Sequence, residues 1–183
     1  MQLAVHVAEK LALSAHERRM LELAAFFHDV GEIAIPEGIL DKEGPLTDEE
    51  WNVVRTHTIR GQEFLERAGG VLAEVGKIVR ASHERWDGLG YPDGLSGPSI
   101  PLAARIVSCC DAFNAMTGER PYRMPMSQEV ALRELVDNAG TQFDPHVVRA
   151  VIAVVRGIAY TPLPELRSAN GDPGLDRARA RAS

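Results

Sequence analysis

Hydrophobic residues recur at intervals of three and four residues along most of the chain, which is the pattern of amphipathic helices. No segment alternates polar and apolar residues as a half-buried β-strand does. The pattern therefore predicts an all-α fold, a helical bundle of about six to seven helices. Their apolar stripes lie near residues 3–11, 15–28, 48–65, 71–83, 102–116, 127–140 and 144–157.

Local sequence signals mark where three of these helices begin. Ser14 with Glu17, and Thr47 with Glu50, have the spacing of a capping box, in which each side chain bonds the backbone N–H of the other residue. Asp144 stands directly before a proline and is suited to cap the last helix. These signals indicate helix starts independently of the apolar stripes.

Two stretches of the chain lack a helical stripe. Residues 85–101 are rich in glycine and proline and are predicted to form a loop. Residues 161–183 are rich in Pro, Gly, Arg, Ala and Asp, and we expect a mobile tail there, after one domain over residues 1–160. The first helix begins at the chain start with no capping residue before it, so the domain is expected to be truncated on that side.

The composition is that of an ordinary globular protein, with 45% hydrophobic and 25% charged residues in a chain of 183. A net charge of −6 argues against a nucleic-acid polymer as a partner. Neither a run of about 18 apolar residues nor a signal peptide is visible, so no membrane insertion is expected. The two cysteines are neighbours in an apolar run, which suits packed, reduced thiols and a cytoplasmic protein.

Five histidine and aspartate residues carry the candidate chemistry: His28, Asp29, His57, His83 and Asp111. After the first pair the intervals are 28, 26 and 28 residues, each about one helix plus its connection. Antiparallel helices of that length could bring the five groups to one point in the core of a bundle. Imidazole and carboxylate together suit Mn, Fe or Zn better than Ca or Mg.

Asp111 is the most informative of the five, because it follows directly on an apolar stretch over residues 106–110. A buried carboxylate without a partner is costly, so a metal or an arginine must compensate it. Any single residue of this kind is more often a satisfied core histidine or a helix cap than a ligand. All five at helix-length intervals favour a metal site over that plainer interpretation.

Six segments together resemble the HD-GYP family of metal-dependent phosphohydrolases, in their order and spacing. They are Phe26–Pro36, His83–Pro92, Ile100–Ile106, Asp111–Thr117, Arg120–Arg123 and Phe143–Pro145. The resemblance covers about residues 1–157. It implies a helical bundle around two or sometimes three metals, commonly iron or manganese, that hydrolyses cyclic di-GMP to the linear dinucleotide or to GMP.

The same resemblance implies roles for particular residues. The implied metal ligands are His28, Asp29, His57, His83 and Asp111. The implied substrate contacts are Arg120 and Arg123 at phosphate, where a planar guanidinium suits the oxygens, and Gly88, Gly90, Tyr91 and Pro92 on the guanine side. Asp29 would bridge two cations, which would activate water for attack on the phosphodiester.

The chain departs from the family at three places. Glu32 stands where the family usually has a lysine, and Ser82 where it usually has the first of two consecutive histidines. A further upstream histidine of the family would fall before the first residue. Glu32 would share the helical side of His28 if that helix continued, so it is a candidate catalytic residue or extra ligand. Two iron or manganese ions per chain are expected, the second held more weakly.

Three functions remain open at this point. The chain is a working cyclic di-GMP phosphodiesterase, a degenerate HD-GYP domain that binds a ligand or partner without turnover, or an HD hydrolase of another nucleotide phosphoester. The expected partners are a cyclic dinucleotide and either a diguanylate cyclase (GGDEF) domain, contacted through the loop that carries Tyr91, or an upstream sensory or receiver domain. Asp87 and Gly88 by themselves would explain that loop as a plain tight turn.

Overall fold

The computed structural model describes residues 2–119 and 124–161. These residues form nine α-helices and two short 3-10 helices, with no β-strand beyond one isolated bridge between Ala139 and Phe143. The prediction of an all-α fold is confirmed. The helices are α1 (Gln2–Lys10), α2 (Ala15–Phe27), α3 (Glu37–Leu40), α4 (Asp48–Arg55), α5 (His57–Ala68), α6 (Val71–Arg80), α7 (Leu102–Thr117), α8 (Gln128–Asp137) and α9 (Pro145–Val155), and the 3-10 helices are Val30–Ala34 and Gly97–Ser99.

The three predicted helix starts are confirmed. The backbone N–H of Ser14 donates to the Glu17 carboxylate at 2.8 Å, and the N–H of Glu17 donates back to the Ser14 hydroxyl at 3.3 Å. Thr47 and Glu50 form the same reciprocal pair at the start of α4. The carboxylate of Asp144 accepts the N–H of residue 146, two positions into the last helix.

The prediction of one helix over residues 48–65 is wrong, because the helix breaks at Thr56 into α4 and α5. The hydroxyl of Thr56 donates to the Val53 carbonyl at 2.7 Å, and the ring of His57 bonds the Val54 carbonyl at 2.8 Å. Side-chain bonds of this kind compete with the backbone hydrogen bonds that would continue the helix. The break leaves His57 as the first residue of α5.

The core of the bundle is built around α7, which packs against α1, α2, α6, α8 and α9. α5 lies against α6 and against the 3-10 segment Val30–Ala34. Each fully buried aliphatic side chain contributes about 1.5–3 kcal/mol by leaving water. Such side chains include Val7, Leu21, Leu65, Val75, Val79, Ile106, Leu132, Leu135, Val147 and Val151.

The 3-10 segment lies so close to α5 that a side chain does not fit at Gly31. A Cβ atom on Gly31 would lie 1.9 Å from the carbonyl oxygen of His57 and 2.5 Å from the nitrogen of Gly61. Both of those atoms belong to the backbone, so neither can move aside cheaply. This contact fixes the segment that follows Asp29 against the first turn of α5.

Two expectations concern the chain as a whole. Except for Thr161, the tail predicted over residues 161–183 lies outside the described residues. Within the described part of the chain, none of the helices has both the length and the apolar character needed to cross a bilayer.

Candidate metal centre

The five candidate ligands come from four separate stretches of the chain that the fold brings together. His28 and Asp29 follow α2, His57 begins α5, His83 lies just beyond α6, and Asp111 stands in the middle of α7. The Nε2 atom of His28 lies 3.0 Å from Asp29 Oδ2 and 3.7 Å from Asp111 Oδ1. Asp29 Oδ1 in turn lies 3.9 Å from the Nε2 atom of His57. Asp29 thus stands between two histidines.

A second group of donors converges on the other side of Asp29. Asp29, His57 and His83 each offer one ligand atom, and these three atoms lie within 4.8 Å of one another. The rings of His57 and His83 meet edge to face, with centroids 4.9 Å apart. The Nε2 atoms of both rings are buried without a hydrogen-bond partner among the described residues. Leaving a buried nitrogen without a hydrogen bond costs about 1–3 kcal/mol of stability, so we expect each Nε2 atom to bind a ligand.

Backbone carbonyls orient two of the imidazoles toward this point. The Nδ1 atom of His28 lies 3.0 Å from the carbonyl oxygen of Ala25, and Nδ1 of His57 lies 2.8 Å from that of Val54. Because a carbonyl can only accept, Nδ1 carries the hydrogen in each case, so Nε2 is the ring nitrogen that faces the site. Metal-binding histidines in general have a carbonyl or carboxylate behind them that fixes the ring in this way.

Charges in the site are strongly coupled. The neighbouring carboxylates, Asp111 first and then Asp29, raise the pKa of His28 to about 10, so in the absence of a cation its ring carries a proton between them. Burial, and then the neighbouring ring of His57, lowers the pKa of His83 to about 4. Burial opposes ionisation of Asp29, but the bond to His28 and the surrounding imidazoles hold its pKa below the usual range. His83 is therefore a neutral donor and Asp29 an ionised one.

The site is closed on its imidazole side and open on its carboxylate side. The side chain of His57 is 3% exposed, whereas those of Asp29 and Asp111 are each 48% exposed. A cation held here would therefore have protein behind it and solvent in front of it. A soluble phosphodiester could approach from that open side. The donor set of imidazoles and carboxylates fits a divalent transition metal.

A loop with Tyr91 at its inner side covers the histidines. The ring of Tyr91 stacks on that of His83, with centroids 5.2 Å apart and planes 9° from parallel, and lies 6.3 Å from the ring of His57. Burial raises the pKa of Tyr91 to about 12, so its hydroxyl stays protonated at neutral pH. Leu89, at the tip of the same loop, is 79% exposed. The loop thus presents one side chain to the site and another to solvent.

Comparison with known proteins assigns this arrangement to a family. The family model described as HD domain matches residues 1–147. The chain belongs to the HD domain family, in its HD-GYP group. It is 46% identical over 154 residues to the cyclic di-GMP phosphodiesterase response regulator RpfG of Xanthomonas campestris pv. campestris, a match that covers 84% of this chain and 40% of that protein.

The printed names of two further relatives give two different substrates. The chain is 38% identical to a cyclic di-GMP phosphodiesterase of Thermotoga maritima, over 85% of this chain and 43% of that protein. It is 37% identical to the 3'3'-cGAMP-specific phosphodiesterase 2 of Vibrio cholerae, over 80% of this chain and 28% of that protein. The chain therefore spans less than half the length of each of these curated relatives.

Two solved structures share the fold of this HD domain. A cyclic GMP-AMP specific phosphodiesterase of Vibrio cholerae, V-cGAP3, matches with a TM-score of 0.65 and 20% identity, over 96% of this chain and 46% of that chain. Bd1817 of Bdellovibrio bacteriovorus, described as an HDG"Y"P protein, matches with a TM-score of 0.65 and 20% identity, over 85% of this chain and 49% of that chain. At this identity the likeness concerns the fold.

The position of the loop that carries Gly90, Tyr91 and Pro92, the GYP loop, depends on a residue that sequence reasoning missed. Glu84 is 3% exposed, and its carboxylate accepts the backbone N–H groups of Asp93 at 2.7 Å and Leu95 at 3.0 Å. The loop also has no room for a side chain at Gly90, where a Cβ would lie 2.3 Å from the nitrogen of Arg85. An acidic residue directly after a candidate ligand histidine and before a glycine-rich loop was the available signal.

The tight-turn interpretation of Asp87 and Gly88 describes part of this loop. The carboxylate of Asp87 accepts the N–H of Leu89 at 3.1 Å, as an aspartate does in a turn, and pairs with Arg85. Gly88 has a φ of 81°, which favours glycine. The N–H groups of residues 86 and 87 reach the carbonyls of residues 142 and 141, so the turn is tied to the start of the last helix.

The two departures from the family that fall in the described part of the chain have different surroundings. The condition on which Glu32 would share the helical side of His28 is not met, because α2 ends at Phe27 and a 3-10 segment follows. Burial and the charge of Asp29 raise the pKa of Glu32. Glu32 is therefore close enough to the candidate metal centre to interact with its charges. The Ser82 hydroxyl is buried and donates to the Val79 carbonyl at 2.8 Å.

Four of the six substrate contacts that the resemblance implies lie within the described residues. Gly88, Gly90, Tyr91 and Pro92 all lie in the loop beside His83. Arg120 and Arg123 lie outside the described residues.

Proposed function

We propose that this chain is a metal-dependent phosphodiesterase that hydrolyses cyclic di-GMP to the linear dinucleotide or to GMP. The observation that carries the proposal is the position of Asp29, which joins His28 and Asp111 on one side to the two unpartnered imidazoles of His57 and His83 on the other. The printed names of the relatives from Xanthomonas and Thermotoga support cyclic di-GMP as the substrate.

The proposed ligands are His28, Asp29, His57, His83 and Asp111, with Asp29 in the bridging position. Two iron or manganese ions there would activate water near neutral pH and neutralise the charge of the attacked phosphate. The carbonyls of Ala25 and Val54 hold the rings of His28 and His57 in place. No protein nucleophile is needed in this scheme, so the chain's own contribution is to orient donors and to exclude water on the imidazole side.

The chain's residues also bear on how firmly two metals are held. A serine hydroxyl is a poor metal ligand beside the imidazole that the family usually has here, and that of Ser82 is turned to the Val79 carbonyl. Glu32 brings a further negative charge near Asp29 and is a candidate catalytic residue or extra ligand. We propose one firmly bound metal and a second, weaker one.

Metal content and turnover test this function together. The purified protein, incubated with Mn²⁺, should hold about two ions per chain by elemental analysis and convert cyclic di-GMP to products resolved by chromatography. Bound metal with hydrolysis of bis(p-nitrophenyl) phosphate but not of cyclic di-GMP would indicate an HD hydrolase of another phosphoester. Binding of cyclic di-GMP without metal or turnover would indicate the degenerate domain, for which the Ser82 and Glu32 substitutions are the supporting observations. The name of the Vibrio relative makes 3'3'-cGAMP the natural competing substrate to assay.

The setting of the activity is part of the proposal. We propose a cytoplasmic location, which agrees with two adjacent, buried and free thiols at Cys109 and Cys110. We also propose that the chain is joined to, or contacted by, a sensory, receiver or GGDEF domain. The printed name of the Xanthomonas relative, a response regulator of which the chain spans 40%, supports a regulatory partner.

A further inference from the structure

Arg55 is a cation at the edge of the candidate metal centre that none of the motifs assigns. It is the last residue of α4, two positions before His57, and its side chain is exposed. The guanidinium carbon lies 5.7 Å from the centroid of the Tyr91 ring, a cation–π distance. Tyr91 in turn stacks on His83. The break at Thr56 therefore places a positive group beside the ring that covers the site.

No carboxylate in the described part of the chain pairs with Arg55. Several other arginines of the described chain, though not all, pair with carboxylates, as Arg80 does with Asp93 and Arg105 with Asp144. Arg55 forms no ion pair or side-chain hydrogen bond with any described residue, the carboxylates of the metal centre included. A guanidinium that is held near a site and left without a partner is suited to bind an anion from solution, because its planar fork matches phosphate oxygens.

The position of Arg55 indicates which anion it meets. A cyclic dinucleotide carries two phosphodiester groups on one ring, and only one of them can lie on the metal centre at a time. Arg55 does not touch the candidate ligands directly and is separated from His83 by the ring of Tyr91. A group at this place meets the part of the substrate that extends beyond the metals.

We infer that Arg55 binds the second phosphate of the cyclic dinucleotide, the one that is not attacked, and so selects substrates that carry two phosphodiesters. This inference rests on the proposed function and deepens it. Arg55 acts on substrate binding, and the metals and their ligands act on the chemical step. The stacking on Tyr91 holds the guanidinium beside the site while leaving its N–H donors free to bind an anion.

The test compares Arg55→Met and Arg55→Lys with the unaltered protein on two substrates, cyclic di-GMP and bis(p-nitrophenyl) phosphate, which has one phosphodiester. Arg55→Met should raise KM for cyclic di-GMP about tenfold or more, since a hydrogen bond to a charged group contributes at least about the 1.4 kcal/mol that a factor of ten represents. It should leave kcat and the metal content nearly unchanged. Its kcat/KM for bis(p-nitrophenyl) phosphate should stay the same, and salt should inhibit it less with cyclic di-GMP.

Arg55→Lys keeps the charge but loses the planar fork, so its KM for cyclic di-GMP should lie between those of the unaltered protein and Arg55→Met. The matched control is Arg67→Met, which removes an exposed arginine without an ion pair in the described chain from the other end of α5, about 15 Å along the helix from His57. This control should leave both substrates unaffected.

Several outcomes would overturn the inference, and they separate it from the proposed function. An unchanged KM for cyclic di-GMP in Arg55→Met, with the unaltered protein active, refutes the role of Arg55 and leaves the proposed function standing. An equal loss of kcat on both substrates also refutes it, because Arg55 would then act at the attacked phosphate or on the metal centre. If the unaltered protein cleaves bis(p-nitrophenyl) phosphate but neither binds nor cleaves cyclic di-GMP, the proposed function fails and this inference fails with it.

Discussion

At the scale of single residues, Asp29 is where two kinds of neighbour meet. One oxygen of its carboxylate lies beside the protonated ring of His28, and the other faces the ring of His57, whose Nε2 atom, like that of His83, has no hydrogen-bond partner among the described residues. No other described residue contacts both groups through opposite oxygens of one side chain. The charge of Asp29, more than its size, is therefore what joins the two halves of the site.

Replacing Asp29 by asparagine tests that statement, because the shape is kept and the charge is lost. We expect bound Mn²⁺ to fall below one ion per chain by elemental analysis, and kcat to fall by more than the roughly 10–100-fold typical of an outer-shell partner. The fold should remain, as judged by circular dichroism. Asp137→Asn, an exposed change at the end of α8, should retain metal and activity. Full metal content in Asp29→Asn would contradict the bridging assignment.

At the scale of elements, the GYP loop is held from its inner side by one buried carboxylate. Glu84 accepts two backbone N–H groups of the loop, at residues 93 and 95. Hydrogen bonds to a buried charged acceptor each contribute about 1.5–3 kcal/mol. The loop is long and glycine-rich, so these bonds, with the stacking of Tyr91 on His83, determine where it lies.

Glu84→Gln should loosen this loop. The amide keeps one acceptor oxygen but turns an NH₂ group toward a backbone N–H, so one bond is lost and a donor faces a donor. We expect about 2–3 kcal/mol less free energy of unfolding in urea, together with faster hydrogen exchange at the amides of Asp93 and Leu95. Glu43→Gln, an exposed change, is the control. Unchanged exchange at both amides would show that the loop is held by other contacts.

A second element-scale contact is the approach of the 3-10 segment to α5. Gly31→Ala should destabilise the protein by more than about 3 kcal/mol, because its Cβ would overlap the backbone carbonyl of His57. Metal binding should weaken as well, since the overlap pushes Asp29 away from α5. Gly38→Ala is the matched control: nothing lies within 4 Å of its Cβ, and as a helical position it should gain up to about 1 kcal/mol. Urea denaturation of both variants, with and without Mn²⁺, decides the point.

Local signals explain which elements the sequence could predict. The capping pair of Ser14 and Glu17 works within one turn of chain, so it is visible in the sequence and is present in the structure. The break at Thr56 was not predicted, because it depends on the ring of His57 bonding the Val54 carbonyl, and a histidine on an apolar stripe reads as a continuing helix. The side on which Glu32 lies could not be predicted either, because it depended on whether α2 continued beyond Phe27.

At the scale of the whole molecule, the sequence could indicate which residues meet but not how they are supported. His28, His57, His83 and Asp111 are separated by helix-length intervals, and a bundle folds such intervals back on themselves. The partners of Glu84 are backbone amides, which every residue has, so no pattern of residue types distinguishes them. Arg55 was missed because its significance lies in the ring of Tyr91, which is distant in the chain and adjacent only after folding.

The origin of the five donors in four separate stretches of chain, from residue 28 to residue 111, has a consequence for assembly. Ions held there would act as a cross-link between α2, α5, α6 and α7, and an unfolded chain has no equivalent set of groups to offer them. Occupancy would then stabilise the native state by mass action, by about 2.7 kcal/mol when the free ion is at a hundred times its dissociation constant. The resistance of the protein to heat would then depend on how much free metal the cell supplies.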